Sequence, residues 1–386
     1  MSKLEELIQQ YCPDGVEWKK IGDVANLSHG ERPTESEGVY PYINAGTSPS
    51  GFLNAYNSEG GAVTTPSHGQ GGIGYVGYQK EAFWCGALCF KLYGMQGILI
   101  TKYLYYAMCS ISKSIRGMMK DGGVPYLNGN QIKSLEIPVP PLPVQEEIVR
   151  ILDTFTELQA ELQAELQKRL QQYNYYRDNL LSFEGRTDVE WKKLEDVCQK
   201  TDNIKWKSAI GTYQYIDLSS VDIQTHSILS TTEIDKESAP SRAQQIVKKD
   251  DVIFATTRPT QMRVCLIPSS YDGEICSTGY CVLRPEPSII LPQYLFFALA
   301  VDDFKVYLSN NLTMGNYPSI SNSTLKEYEL PIPSLAEQQR IVSILDRFDT
   351  LTNDLTAGLP AEIEKRKQQY EYYRDKLLTF KRLNND

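Results

Sequence analysis

The residues of this chain best suited to chemistry sit in two turn-like stretches. In the first, the strand-like AVTT of 62–65 runs into PSHGQGGIG, which sets Gly69, Gly71 and Gly74 in a G-x-G-x-x-G register. Such a loop holds a dinucleotide only when a helix follows to meet the pyrophosphate and an acid about 20 residues on holds the ribose. Neither condition is met: residues 73–78 lead into YVGYQ, which reads as a second strand, and no acid stands at that distance. What remains is a turn rich in backbone amide donors, flanked by Ser67, His68 and Gln70, with Thr65 before it and Tyr78 and Lys80 after it. That set can approach a phosphate backbone or a base edge. The second stretch offers Thr257, Arg258, Thr260, Gln261 and Arg263 at the counterpart position. Either arginine can pair with guanine or with phosphate, and only the former specifies sequence. Ion pairing inside the fold is the competing role for both.

Catalysis finds no comparable support. The chain lacks G-x-x-x-x-G-K-[ST], H-E-x-x-H and G-x-S-x-G, and its three histidines, His29, His68 and His226, stand outside any triad-like setting. The eight cysteines are scattered, without zinc-ribbon spacing, and read as buried thiols of a reducing, cytoplasmic compartment. No cofactor or metal site is expected in the chain. The N-terminal MSKLEELIQQ reads as a short polar helix, and no apolar run approaches the roughly 20 residues that span a bilayer. A net charge of −9 excludes a freely basic nucleic-acid binder. If the chain touches DNA, it needs local cationic patches or a partner's help.

These stretches are held in a chain that is written twice. VEWKK at 16–20 recurs at 189–193, IPVPPLPVQEEIVRILD at 137–153 answers LPIPSLAEQQRIVSILD at 330–346, and QQYNYYRDNLLSF at 171–183 recurs as QQYEYYRDKLLTF at 368–380. Blocks in this order make a tandem duplication of a domain with its connector. The connectors read as helices that start after proline clusters, with Ser334 and Glu337 at capping-box spacing. In the first, Ile148, Ile151, Leu152, Phe155, Leu158, Leu162, Leu166 and Leu170 hold one apolar face so long that a coiled-coil partner is required. At about 1.5 Å per residue each helix would run roughly 60–70 Å. Inside it ELQA-ELQA-ELQK repeats over 157–168, and each unit adds about 6 Å and 40°, like divisions on a ruler. The intervening domains match only in outline, TKYLYYAM (101–108) with PQYLFFAL (292–299) and GGVPYLN (122–128) with GNYPSIS (315–321). Similar frames with different surfaces suggest two binding specificities. A closed arrangement of the repeats would also bring the segment after Phe380 beside the first VEWKK.

Where the proline cluster meets QEEIVRILDTF, ELQAELQ and QQYNYYRDNLLSF, the chain resembles the DNA-specificity (HsdS) subunits of type I restriction-modification systems. The leucine tetrapeptides look most like the IC subclass. The resemblance implies an α+β fold of two target-recognition domains separated by two long antiparallel coiled-coil helices, with an internal pseudo-two-fold. The boundaries would be 1–136, 137–185, 186–330 and 331–386. It implies double-stranded DNA with a bipartite target, two methyltransferase (HsdM) subunits carrying S-adenosylmethionine, and motor-nuclease (HsdR) subunits using ATP and Mg, with no membrane. Carried over residue by residue, Gln145, Ile148, Ile151, Leu152 and Phe155, with Gln338, Ile341, Ile344, Leu345 and Phe348, become helix-pair or methyltransferase-docking positions. The competing reading is a non-catalytic coiled-coil adaptor whose two domains bind proteins, which the acidic charge would suit.

Overall fold

The repeated strings recur because they are each other's partners. Trp18–Lys20 pairs antiparallel with Glu136–Pro138, Trp18 opposite Pro138, and Glu190–Lys193 pairs with Glu329–Ile332, Trp191 opposite Pro331. Each two-stranded ribbon joins the start of a domain to its end. Proline is tolerated there because such a ribbon has a free edge that needs no donor. In the computed structural model, which describes all residues except 1, 34–36, 70, 120–124, 314, 316, 354–357 and 384–386, the chain folds as two units. One is Met1–Glu161 with Lys365–Asp386, and the other is Leu162–Glu364.

In the first unit a four-stranded antiparallel sheet runs Ala25–His29, Cys89–Gly94, Ala62–Pro66, Gly77–Gln79. A three-stranded sheet, Gly51–Leu53, Tyr40–Ile43, Trp84–Cys85, contains one parallel pair, Tyr40–Ile43 with Trp84–Cys85. The helix Thr101–Ser110 buries Tyr103, Leu104, Tyr106, Ala107 and Met108. The second unit repeats the plan: one sheet runs Cys198–Gln199, Tyr280–Pro285, Val252–Ala255, Val264–Leu266. The other runs Thr232–Ile234, Tyr213–Ile216, Ile275–Ser277, Ala243–Ile246, its parallel pair at the same place and one strand added. Helix Pro292–Ala298 takes the place of Thr101–Ser110.

The strand expected over 73–78 is a turn over 71–74, and the strand proper is Gly77–Gln79. The glycines explain it. A Cβ on Gly72 would stand 1.9 Å from the Ala45 carbonyl oxygen, and Gly74 takes φ +90, which side-chain-bearing residues avoid. Of the G-x-G-x-x-G register itself, Gly69 and Gly74 answer to positive φ, +93 and +90, while Gly71 stands in open space.

The first connector is a 40-residue helix, Leu142–Leu181. The second is described as two 19-residue helices, Leu335–Asn353 and Leu359–Leu377, with residues 354–357 outside the described residues. Ser334 caps the former through the Glu337 N–H at 3.3 Å, while the Glu337 carboxylate turns to Arg340. Burial is full only toward the helix ends, at Val144, Ile148 and Leu152 and again at Tyr173 and Leu181; Leu158 stays 43% exposed. The apolar face is thus less covered in its middle than its periodicity requires.

Within the first unit Phe155 stacks on Tyr373 at 5.5 Å; within the second Phe348 stacks on Tyr176 at 5.6 Å. The tail lies where a closed repeat puts it: Val16 N–H donates to Lys381 O at 2.9 Å and Leu383 N–H to Val16 O at 3.0 Å. The N-terminal helix Lys3–Tyr11, closed by a Ser2/Glu5 capping box, packs Leu4 into the same core as Leu378. No described helix is long and apolar enough to cross a membrane.

Candidate nucleic-acid interface

In both units the turn after the central strand is braced by a proline-bearing loop from far along the chain. Gly69 N–H donates to Pro125 O (3.0 Å) and Leu127 N–H to Ser67 O (2.8 Å); Arg258 N–H donates to Pro318 O (2.7 Å) and Ile320 N–H to Thr256 O (2.9 Å). Gly69 and Arg258 are thus equivalent, and both have left-handed backbone, φ +93 and 52. The two stretches picked out by composition are the same corner of one fold.

In the second unit this corner is a cationic pocket of about 370 Å³, into which Arg242, Thr257, Arg258, Gln261, Arg263 and Tyr317 project. The short helix Pro259–Gln261, begun by proline, is bracketed by Arg258 and Met262, both left-handed. Two such non-glycine residues cost about 1–2 kcal/mol each, which the loop hydrogen bonds help to offset. The Arg258 guanidinium lies 4.7 Å over the Tyr317 ring. Arg263 donates to the Val221 carbonyl, which fixes one arm. None of the three arginines forms an ion pair among the described residues, in contrast to Arg284, buried and bidentate with Asp251 at 2.9 Å twice. Thr260 is exposed on the same short helix. The pocket presents forked donors, an amide and an aromatic face, the groups that engage phosphates and base edges.

The first unit gathers less. Thr65 and Ser67 are fully buried: Thr65 Oγ1 donates to Tyr75 O at 2.8 Å, and Ser67 Oγ meets His68 Nδ1 at 2.9 Å. Both are therefore corrected from contact residues to supports of the turn. His68 is half-buried and stacks on Tyr126 at 6.3 Å. Tyr78 is half-buried against Tyr105 at 5.6 Å with Lys102 over its ring, and Lys80 is exposed beyond the next strand. Gln70 lies outside the described residues. His226 is half-buried, its ring 5.8 Å edge-on from Phe296, and desolvation lowers its pKa. Burial likewise pushes the Cys198 and Cys265 thiols up to about 12, so they stay neutral.

Of the connector positions, Gln145 and Gln338 are corrected outright. Both are fully buried and face their own domains. Gln145 donates to Ile98 O (2.9 Å) and Pro140 O (2.8 Å) and accepts from Ile100 N–H (2.9 Å). Gln338 donates to Ile289 O and Pro333 O and accepts from Leu291 N–H, each at 2.9 Å. Each side chain is satisfied by main chain, leaving nothing for a partner. Ile148, Leu152, Ile341 and Leu345 are equally buried in the domain cores, while Ile151, Phe155, Ile344 and Phe348 are half-buried.

Arg242, Tyr317 and Tyr126 were not singled out by sequence reasoning. The signal available was their place: Tyr126 and Tyr317 lie within the paired segments GGVPYLN and GNYPSIS.

The family model described as the type I restriction modification DNA specificity domain matches the chain twice, over residues 13–172 and 187–365. The chain is 33% identical over 299 residues, 73% of its own length and 71% of the relative's, to the type I restriction enzyme EcoR124I/EcoR124II specificity subunit of Escherichia coli. It is 29% identical, over 95% of itself and 96% of the relative, to a putative type I restriction enzyme specificity subunit of Haemophilus influenzae. Its fold matches the crystal structure of a type I restriction-modification system S subunit from M. genitalium with a TM-score of 0.61 at 18% identity, covering 94% of this chain and 96% of that one.

Proposed function

This chain belongs to the type I restriction modification DNA specificity family, and we propose that each of its two domains reads one half of a split DNA target through the turn after its central strand. It is the DNA-recognition subunit of a restriction-modification assembly. The observation that carries the finer reading is the equivalence of the Gly69 and Arg258 turns, one frame carrying two different sets of side chains. In the second domain Arg258 and Gln261 would meet base edges, while Arg242 and Arg263 neutralise phosphate. In the first, His68 and Tyr126 form the corresponding surface, and Lys80 stands apart at the other end of the hairpin, beside Gly60.

The connectors would set the gap between half-sites and hold two methyltransferase subunits. Those partners would carry S-adenosylmethionine and the chemistry, and motor-nuclease subunits would use ATP and Mg, so this chain would act without a cofactor or catalysis of its own. The net charge of −9 accords with recognition that is tight only inside the assembly, where partners add cationic surface.

Methylome sequencing of a host with and without the gene tests the reading. The expected result is a split, asymmetric adenine-methylated motif that disappears with the gene. A methylome indifferent to the gene would refute it.

A further inference from the structure

The two ribbons carry equivalent tryptophans with different fates. In the first unit Trp18 is half-buried because Arg382, from the tail, lies 4.7 Å over its ring and pairs with Glu136 at 2.8 Å. Aligned through Phe380 and Phe183, the residue in the place of Arg382 in the second unit is Gly185, which has no side chain to lend. Trp191 is accordingly 49% exposed. The nearby linker cation does not replace it: Arg186 is held by Asp188 at 2.5 Å and by the Phe183 ring at 5.3 Å.

What stands open beside Trp191 is a pocket of about 680 Å³ with Phe183 and Trp191 in its wall and Asp178, Glu184, Asp302 and Asp303 around it. Asp178 and Asp302 already pair with Arg177 and Lys305, and Asp303 accepts from Tyr328 Oη at 3.1 Å. Glu184 has no partner among the described residues. An aromatic face with a free carboxylate beside an apolar wall suits a long side chain that is apolar along its stem and cationic at its end. DNA does not fit, since the carboxylates repel phosphate.

We infer that the Trp191 pocket receives an arginine-bearing segment of a protein partner in the assembly, supplying from outside what Arg382 supplies to Trp18 from within. This rests on the reading that the chain assembles with methyltransferase subunits. The ring and Glu184 should each account for about a tenfold share of partner affinity.

The test uses the full chain with its purified methyltransferase subunit, titrated by fluorescence at low and high salt. Trp191→Leu and Glu184→Lys are each expected to weaken binding about tenfold, Trp191→Phe much less, and the loss in Glu184→Lys should shrink at high salt. Glu184 is exposed and unpartnered, so its variant folds even where a ribbon substitution does not. Wild-type affinity in both Trp191→Leu and Glu184→Lys would overturn the inference and leave the assembly reading standing. So would a loss confined to self-association of the chain, measured by sedimentation. A wild-type chain that binds no methyltransferase subunit would overturn both.

Discussion

Replacing Arg258 by alanine separates base reading from phosphate holding at a single residue. The guanidinium is stacked on Tyr317 at 4.7 Å on a backbone held left-handed by the Pro318 contact. An arginine held this way has already lost much of the roughly 2 kcal/mol of rotamer freedom that binding would otherwise cost. A bidentate contact to guanine is worth about 1–3 kcal/mol, so Arg258→Ala should weaken cognate binding about 5- to 150-fold. The assay is equilibrium binding of the assembled complex to DNA carrying the methylated motif and to each single-base substitution of one half-site, at two salt concentrations. The expected outcome is a loss on the cognate sequence, relaxed preference at one position, and an unchanged salt slope. A phosphate contact would instead weaken all sequences alike and lower the slope by about 0.9. That pattern, or wild-type binding, would refute the assignment of Arg258 to a base. Arg258→Gly controls for folding, because glycine relieves the left-handed strain while removing the same guanidinium.

Three further outcomes follow from the same geometry. Gln338→Ala strands the Leu291 N–H and the Ile289 and Pro333 carbonyls, and urea unfolding should show a loss of about 2–4 kcal/mol; a loss under ~1 would mean that water replaces the amide. Arg150 and then Lys3 hold the Glu147 carboxyl down to about 2 against an ordinary 4.5, so its contribution is full above pH 4.5 and is lost as pH falls toward 2; Glu147→Gln should flatten the melting-temperature profile across that window and leave it parallel to wild type above it. One more ELQA unit after Ala164 should lengthen the gap in the methylated motif by about one base pair with both half-sites unchanged, since about 6 Å and 40° per helical unit lie nearer one 3.4 Å base-pair step than a full turn; an unchanged gap would show that the repeat sets no distance.

The repeat was legible because its strings encode contacts made within each copy. VEWKK and the proline cluster form one ribbon, so neither drifts without the other, and the helix Thr101–Ser110 stands where its aromatic and apolar residues put it. The turn at 71–74 was hidden because a glycine forced by the Ala45 carbonyl looks, in sequence, like a glycine serving a ligand. Half of the cationic pocket was visible as Thr257 to Arg263, whereas Arg242 and Tyr317 arrive from separate loops that only tertiary folding brings together. Gln145 and Gln338 misled for a related reason. A glutamine in an apolar helical series reads as an outward contact, and its true partners are main-chain atoms, which leave no mark in a sequence.

That last property has an evolutionary consequence. Because each buried glutamine grips only carbonyl oxygens and an amide, Ile98, Ile100 and Pro140 in one copy and Ile289, Leu291 and Pro333 in the other, this one grip between connector and reader is indifferent to the side chains around it. Any domain offering a helix start at that spot keeps the grip, provided its core also receives Ile148 and Leu152, or Ile341 and Leu345. On the proposed reading, recombination within the shared strings would exchange whole readers as cassettes, and a lineage would gain a new half-site in one crossover with its connectors unchanged.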